Sequence, residues 1–198
     1  SIISNGIGTY LLSKQANKDG IKVVLTGDGA DEMFMGYYNQ QTLKKDTSWK
    51  TLHQSLINDL TTTELRRIDL AGMANSIEIR CPFLDINLHD VIYSFQYKDF
   101  FGDNKDTLNK NVLRKIFEHD LPQEIYSRPK VSFDVGSGLQ KLLVDICKEQ
   151  SISEEAYLKN IWNSFFEKNL SNFSNNQYFH SYPAFNDVIP LRGNKYCI

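Results

Sequence analysis

Residues 23–36 read VVLTGDGADEMFMG, an apolar run that drops into Thr-Gly-Asp-Gly and then sets Asp28, Asp31 and Glu32 within five positions. The run begins at Ile21, is rich in β-branched residues and is bounded by Gly20 and Gly27. It is apolar without alternation, which predicts a short strand buried on both faces. A helix is expected to begin near Ala30, so the Gly27-Asp28-Gly29 turn would lie at the carboxyl end of the strand. Open α/β sheets bind their ligands there.

Two uses of the acidic turn follow from its chemistry. Asp28 and Asp31, spaced i, i+3, could reach one hard cation such as Mg²⁺, which bridges phosphate oxygens to carboxylates. Gly27 and Gly29 would let a bulky ligand approach the backbone, and helix-start amides favour anions. Equally, acidic residues in a first helical turn stabilise the helix dipole by roughly 0.3–1 kcal/mol each with no ligand. Spacing alone leaves both readings open. It does exclude an EF-hand, which needs alternating acids and a Glu at the twelfth position, and a Walker A loop, since no Gly-Lys-Ser/Thr follows.

Outward from the turn, helical periods dominate. Ile3, Ile7, Tyr10 and Leu11 predict a helix over 2–18, stopped by Lys18-Asp19-Gly20. Further apolar stripes run through Leu70, Met73, Ala74 and Ile77, and through Leu88, Val91, Ile92 and Phe95. Others comprise Leu108, Val112, Ile116 and Phe117, with Asp106 or Thr107 placed to cap, and Leu139, Leu142, Leu143 and Ile146. Tyr157, Ile161, Trp162, Phe165 and Phe166 make an aromatic one. All are expected to be core. Pro82 breaks the chain, Asp85 is placed to cap a helix at 86–95, and SRPKVSFDVGSG (127–138) reads as a loop. His53, His89, His119 and His180 are scattered and expected at the surface. With one evident strand, the sheet's other members are expected from outside these residues or from the tail beyond 169.

The chain has 198 residues, 41% hydrophobic and 23% charged, with net charge -2, an ordinary globular composition. Nothing in it favours nucleic acid or a membrane surface. Cys81, Cys147 and Cys197 are few, odd and widely spaced, so neither a disulfide framework nor a zinc site is expected. No apolar stretch approaches the roughly 20 residues that span a bilayer, and SIISNGIGTYLLSK lacks a signal pattern. A reducing, cytoplasmic compartment is the expectation. The absence of an initiator Met adds the expectation of a piece of something longer.

Three stretches together resemble the asparagine synthetase family. VVLTGDGADEMFMGY (23–37) is similar to its Val-Val-Leu-Ser-Gly-Glu/Asp-Gly-Ala-Asp-Glu-Leu-Phe-Gly-Gly-Tyr segment. RIDLAGMANSIEIRCPFLDINL (67–88) resembles Asp-x-x-x-Met-Ala-x-x-x-Glu-x-Arg-x-Pro-Phe-Leu-Asp. NKNVLRKIFEHDLPQEIYSRPKVSFDVGSG (109–138) is similar to Leu-Arg … Leu-Pro-x-x-Ile … Arg-x-Lys-x-x-Phe. Order and spacing agree.

The resemblance implies a mostly helical α/β fold, the C-terminal portion of an adenine-nucleotide alpha-hydrolase-like, PP-loop ATP pyrophosphatase domain. Residues 1–150 would be the synthetase-like part and 151–198 its helical or irregular extension. It implies ATP and Mg²⁺ as cofactors, and a carboxylate, usually aspartate, adenylated for attack by ammonia from glutamine. Thr26, Gly27 and Gly29 would meet ATP, Asp31 would hold Mg²⁺, and Asp28 and Lys130 would be catalytic. Lys130 would neutralise charge on the transferring phosphates; without the resemblance it reads as an exposed loop lysine. Glu78 and Arg80 would pair or orient the substrate region.

Met35 stands where the family has glycine, and Asp28 is the shorter acid. The family's upstream Ser-Gly-Gly-x-Asp-Ser loop does not occur in these residues, nor does its glutaminase domain. The expected partners are therefore a missing N-terminal part or a second chain carrying that loop, with a homodimer also open. A non-catalytic module keeping the fold is the alternative.

Overall fold

The computed structural model describes residues 2–43 and 48–165. Helix α1 (Ile2–Lys18) leads into strand β1 (Val23–Leu25), and the acidic turn then enters α2 (Ala30–Met33). Helices α3 (Trp49–Asp59) and α4 (Glu64–Met73) precede strand β2 (Glu78–Arg80) and a 3₁₀ turn at Pro82–Leu84. Seven helices complete the described chain: α5 (Ile86–Tyr93), α6 (Tyr97–Phe101), α7 (Asn111–Ile116), α8 (Gln123–Tyr126), α9 (Phe133–Gly136), α10 (Leu139–Glu149) and α11 (Glu154–Phe165). Among the described residues the fold is thus mostly helical with one small parallel sheet, compatible with an α/β class.

Two expectations about the sheet need correction. The partner of β1 lies within the chain: β2 pairs with it in parallel, Val24 opposite Ile79 and Leu25 opposite Arg80. Glu-Ile-Arg is too short and too charged to show a strand period, so pairing rather than pattern makes it a strand. Nor is β1 buried on both faces, for Val23 is 40% exposed and Leu25 71% exposed. The α4 crossover, packed on both α1 and β2, covers one side only. On α1, Tyr10, Leu11 and Leu12 are likewise exposed.

The core lies beyond the acidic turn. Met33, Phe34, Met35 and Tyr38 pack with Leu52 and Leu56 of α3, Ile92 of α5, and Phe100 and Phe101 of α6. Phe83 and Leu84 of the 3₁₀ turn and Val112 and Leu113 of α7 pack against that cluster. The residues that follow the acidic turn therefore anchor it to the main apolar cluster of the described residues.

The stripes located helices better than faces. On α4 the chain buries Ile68, Ala71 and Gly72, and leaves Leu70 and Met73 exposed. On the other helices Ile92 and Leu143 are buried as expected, while Val91, Ile116, Phe117, Leu142, Ile161 and Trp162 are exposed. Periodicity marks an apolar side, and the neighbours decide how much of it is covered. Asp85 caps α5, its Oδ1 accepting from the Asn87 backbone N–H at 2.8 Å. Neither Asp106 nor Thr107 caps α7; Lys110 stands at its N-cap, in a left-handed conformation with φ 58°. The 127–138 segment includes α9, so it is not all loop. Phe166, His180 and the tail beyond 169 lie outside the described residues.

His53 also departs from expectation. It is buried on α3, stacks near Trp49, and its Nε2 lies 2.9 Å from the Met33 carbonyl. A carbonyl only accepts, so Nε2 carries the proton and donates. Burial pushes its pKa below the ordinary value. The native state therefore stays neutral while the unfolded chain takes up a proton below about pH 6.5. His53 should make stability fall as pH drops from about 6.5 towards its lower native pKa. Urea midpoints measured from pH 7.5 to 5 check this: the fall should be shallower in His53→Gln than in wild type.

Candidate active site

The acidic turn leaves β1 at Thr26, whose N–H donates to the Arg80 carbonyl at 2.9 Å and so extends the ladder. The Thr26 hydroxyl then donates to Asp28 Oδ2, closing a local turn. Arg67 of α4 reaches Asp28 Oδ1 at 3.4 Å and Glu64 at 3.3 Å. Asp28 is therefore held from both sides.

The two glycines of the turn differ. A Cβ at Gly27 would meet nothing within 4 Å, leaving that backbone open to a ligand. Gly29 has φ +88°, and a Cβ there would strike Leu84 Cδ2 at 2.4 Å. Packing and backbone conformation explain Gly29 without a ligand. Helix α2 is a single turn, so its dipole adds little.

Asp31 lies at the centre. Lys130 Nζ donates to its Oδ2 at 2.8 Å, and Lys110 Nζ sits 2.9 Å from its Oδ1. Oδ1 is buried and makes no well-aligned hydrogen bond, so Lys110 serves it as a charge partner. Gly36 permits this packing, since a Cβ there would lie 2.0 Å from Asp31 Oδ1 and 2.5 Å from Lys110 Cε. Backbone strain flanks the cluster on both sides: Met35 and Lys110 adopt φ 54° and 58°. Non-glycine residues enter that region at a cost of roughly 1–2 kcal/mol.

Glu32 does not face solvent as a helix-dipole residue. It is 3% exposed and accepts from the Tyr37 hydroxyl at 2.5 Å. Burial raises its pKa and that of Tyr37. Glu78 and Arg80 do pair, at 2.7 Å, on the exposed side of β2.

Lys130 is carried by a segment anchored at both ends. Arg114 of α7 donates Nη2 to the Arg128 carbonyl at 2.7 Å and Nη1 to the Tyr126 carbonyl. On the far side, the Phe133 ring packs onto α1 at Gly8, where a Cβ would meet Phe133 Cε1 at 2.4 Å. A cleft of about 440 Å³ opens beside the lysines, with Phe83, Leu113, Phe117 and Val131 among its walls.

The structure thus brings Asp31 and Lys130 together and sets Thr26, Gly27 and Asp28 beside them on one turn. Sequence reasoning missed Lys110, Arg67 and Tyr37. Each lies in or at the edge of a stretch that carries the family resemblance, yet nothing local marks a helix-start lysine as reaching a carboxylate 79 positions earlier (110 − 31).

The comparisons with known proteins agree with the three motifs. The family model described as asparagine synthase matches residues 2–53 and 38–182. The chain belongs to the asparagine synthase family. It is 33% identical over 153 residues to asparagine synthetase B [glutamine-hydrolyzing] of Escherichia coli, covering 74% of this chain and 26% of the relative. It is 32% and 30% identical over 133 residues to the asparagine synthetases [glutamine-hydrolyzing] of Rattus norvegicus and Homo sapiens, covering 66% of this chain and 23% of each relative. The chain therefore spans about a quarter of the length of these relatives. Among the described residues, no helix is long and apolar enough to cross a membrane.

Proposed function

We propose that this chain is the C-terminal part of an ATP-dependent amide-forming synthetase. In the completed protein a carboxylate, aspartate being the first candidate, is adenylated and then attacked by ammonia released from glutamine. The observation that supports this most is the pairing of Asp31 with Lys130, residues 99 positions apart. They come from separate motifs, and Lys130 and Lys110, the two lysines on Asp31, both line the cleft.

The residues present fit ATP with Mg²⁺. Magnesium keeps several waters and needs only one or two carboxylates when phosphates supply the rest. Asp31 would hold it through the buried Oδ1, and bound Mg²⁺ would neutralise charge on the phosphate oxygens. Lys110 and Lys130, released from Asp31, would turn to those oxygens. The open backbone at Gly27 and Thr26 would lie against the nucleotide. Asp28, oriented by Thr26 and Arg67, would face the reacting carboxylate.

A partner-dependent reading draws on the exposed apolar residues of α1 and β1, which are a natural seat for the rest of a nucleotide domain. Both readings lead to the same experiment. In an ATP–pyrophosphate exchange assay with aspartate and Mg²⁺, the isolated chain is expected to be silent. Supplying the upstream part that carries the Ser-Gly-Gly-x-Asp-Ser loop should restore exchange. Exchange by the isolated chain would overturn the dependence on that part, and silence of the completed protein with every carboxylate tried would overturn the synthetase reading.

A further inference from the structure

Lys130 has two contacts of different kinds. One is the charge pair with Asp31; the other is the face of the Tyr37 ring, whose centroid lies 5.7 Å from Nζ. An ammonium within about 6 Å of an aromatic centroid is attracted by the ring quadrupole, by about 0.5–1 kcal/mol at open sites and more when desolvated. The ring is itself fixed, because its hydroxyl donates to Glu32, and Glu32 is buried on α2. Gly36, between α2 and Tyr37, packs directly on Asp31. Asp31, Glu32 and Tyr37 therefore present a carboxylate and an aromatic face to the same lysine from one short stretch of backbone.

The two contacts behave differently when a ligand arrives. Asp31 is the residue expected to exchange its lysines for a cation, whereas a ring face has no such competitor. We propose that Tyr37 is a positioning residue: it retains Lys130 at the mouth of the cleft when Asp31 lets it go, with Glu32 acting as the tether that fixes the ring. This rests on the reading above only in taking Lys130 as the phosphate-facing cation; the Tyr37 contact itself is independent of any activity. Lys110 makes the comparison internal. It shares Asp31, whereas the Tyr37 ring faces Lys130, so loss of Asp31 should free Lys110 and leave Lys130 in place.

The test is spectroscopic and needs neither nucleotide nor turnover. Lysines of the full chain are labelled by reductive ¹³C-methylation, which keeps their charge, and the signals of Lys110 and Lys130 are assigned with Lys110→Arg and Lys130→Arg. Held over a ring face, the Lys130 methyls should show an upfield ring-current displacement that Lys110 lacks. In Asp31→Asn that displacement should persist while the Lys110 signal moves to the position of a free lysine. In Tyr37→Leu the Lys130 displacement should vanish with Asp31 intact. Tyr37→Phe, which keeps the ring and cuts the tether, should reduce it, and Glu32→Gln, which still offers an acceptor, should preserve it. Loss of the displacement in Asp31→Asn, its survival in Tyr37→Leu, or its absence in wild type overturns the proposal. A silent exchange assay would leave these signals untouched, so failure of the synthetase reading and failure of this one are separable.

Discussion

Lys130→Ala, in the completed protein, is expected to lower carboxylate-dependent ATP–pyrophosphate exchange by about 10²–10³-fold, the usual cost of removing one preorganised charge from a transition state. The reasoning is electrostatic. Adenylation gathers negative charge around a pentacoordinate phosphorus, and an ammonium aimed there gains as the charge grows. Lys130 is directed to the acidic turn by Asp31, which holds it at 2.8 Å. Lys130→Arg should recover only part of the activity, since a planar fork does not reproduce a point charge on a short path. Folding should be almost unaffected, because the side chain lies outside the main core and its pair with Asp31 is partly open to solvent. Exchange rates alongside urea midpoints check both statements. Retained exchange with an unchanged midpoint would remove Lys130 from the chemistry.

The largest effect on stability is expected at Met35. Its side chain is 0% exposed within the main cluster, yet its backbone has φ 54°, where the family resemblance leads one to expect glycine. Met35→Ala keeps the strained backbone and loses the buried thioether, at a cost of about 2–5 kcal/mol. Met35→Gly loses the same packing but relieves the left-handed strain, worth about 1 kcal/mol, so the glycine variant should be the more stable of the two. That order inverts the usual ranking of alanine over glycine, and urea unfolding of both variants decides it. If alanine proves the more stable, the positive φ carries no cost here. At this position the chain has accepted backbone strain and gained a large apolar side chain in its core.

What the sequence made legible is concentrated around the acidic turn. An apolar run broken by Gly-Asp-Gly gave the strand, the turn and the helix start near Ala30, and Asp85 was readable as a cap because an acid after a proline-containing turn has few other uses. Asp31 and Lys130 were readable only jointly, through motifs that mean little one at a time. The rest was hidden for physical reasons. Strand β2 has no apolar period, and its two charged residues face outward, so only its partner reveals it. Leu70 and Met73 belong to the apolar side of α4, but Ile68 and Ala71 take the buried places, because α1 and β2 set the angle at which that helix is packed. His53 is polar and solitary in sequence, and one carbonyl at Met33 suffices to hold it inside. Lys110 depends on a left-handed residue that no composition rule anticipates.

The two anchors around Lys130 limit how it can move. Arg114 holds the backbone at Arg128, and Phe133 is seated at Gly8, which leaves residues 129–132 as the free span between them. At about 3.5 Å per residue even a fully drawn-out span of that length reaches only some 14 Å, so excursions of the ammonium are set by side-chain rotation and small backbone adjustments. Such motions belong to nanoseconds and microseconds, well short of the slow hinge closure of a long lid. The lysine is thus on a short leash, able to change its partner from one oxygen to another within a single site without leaving it.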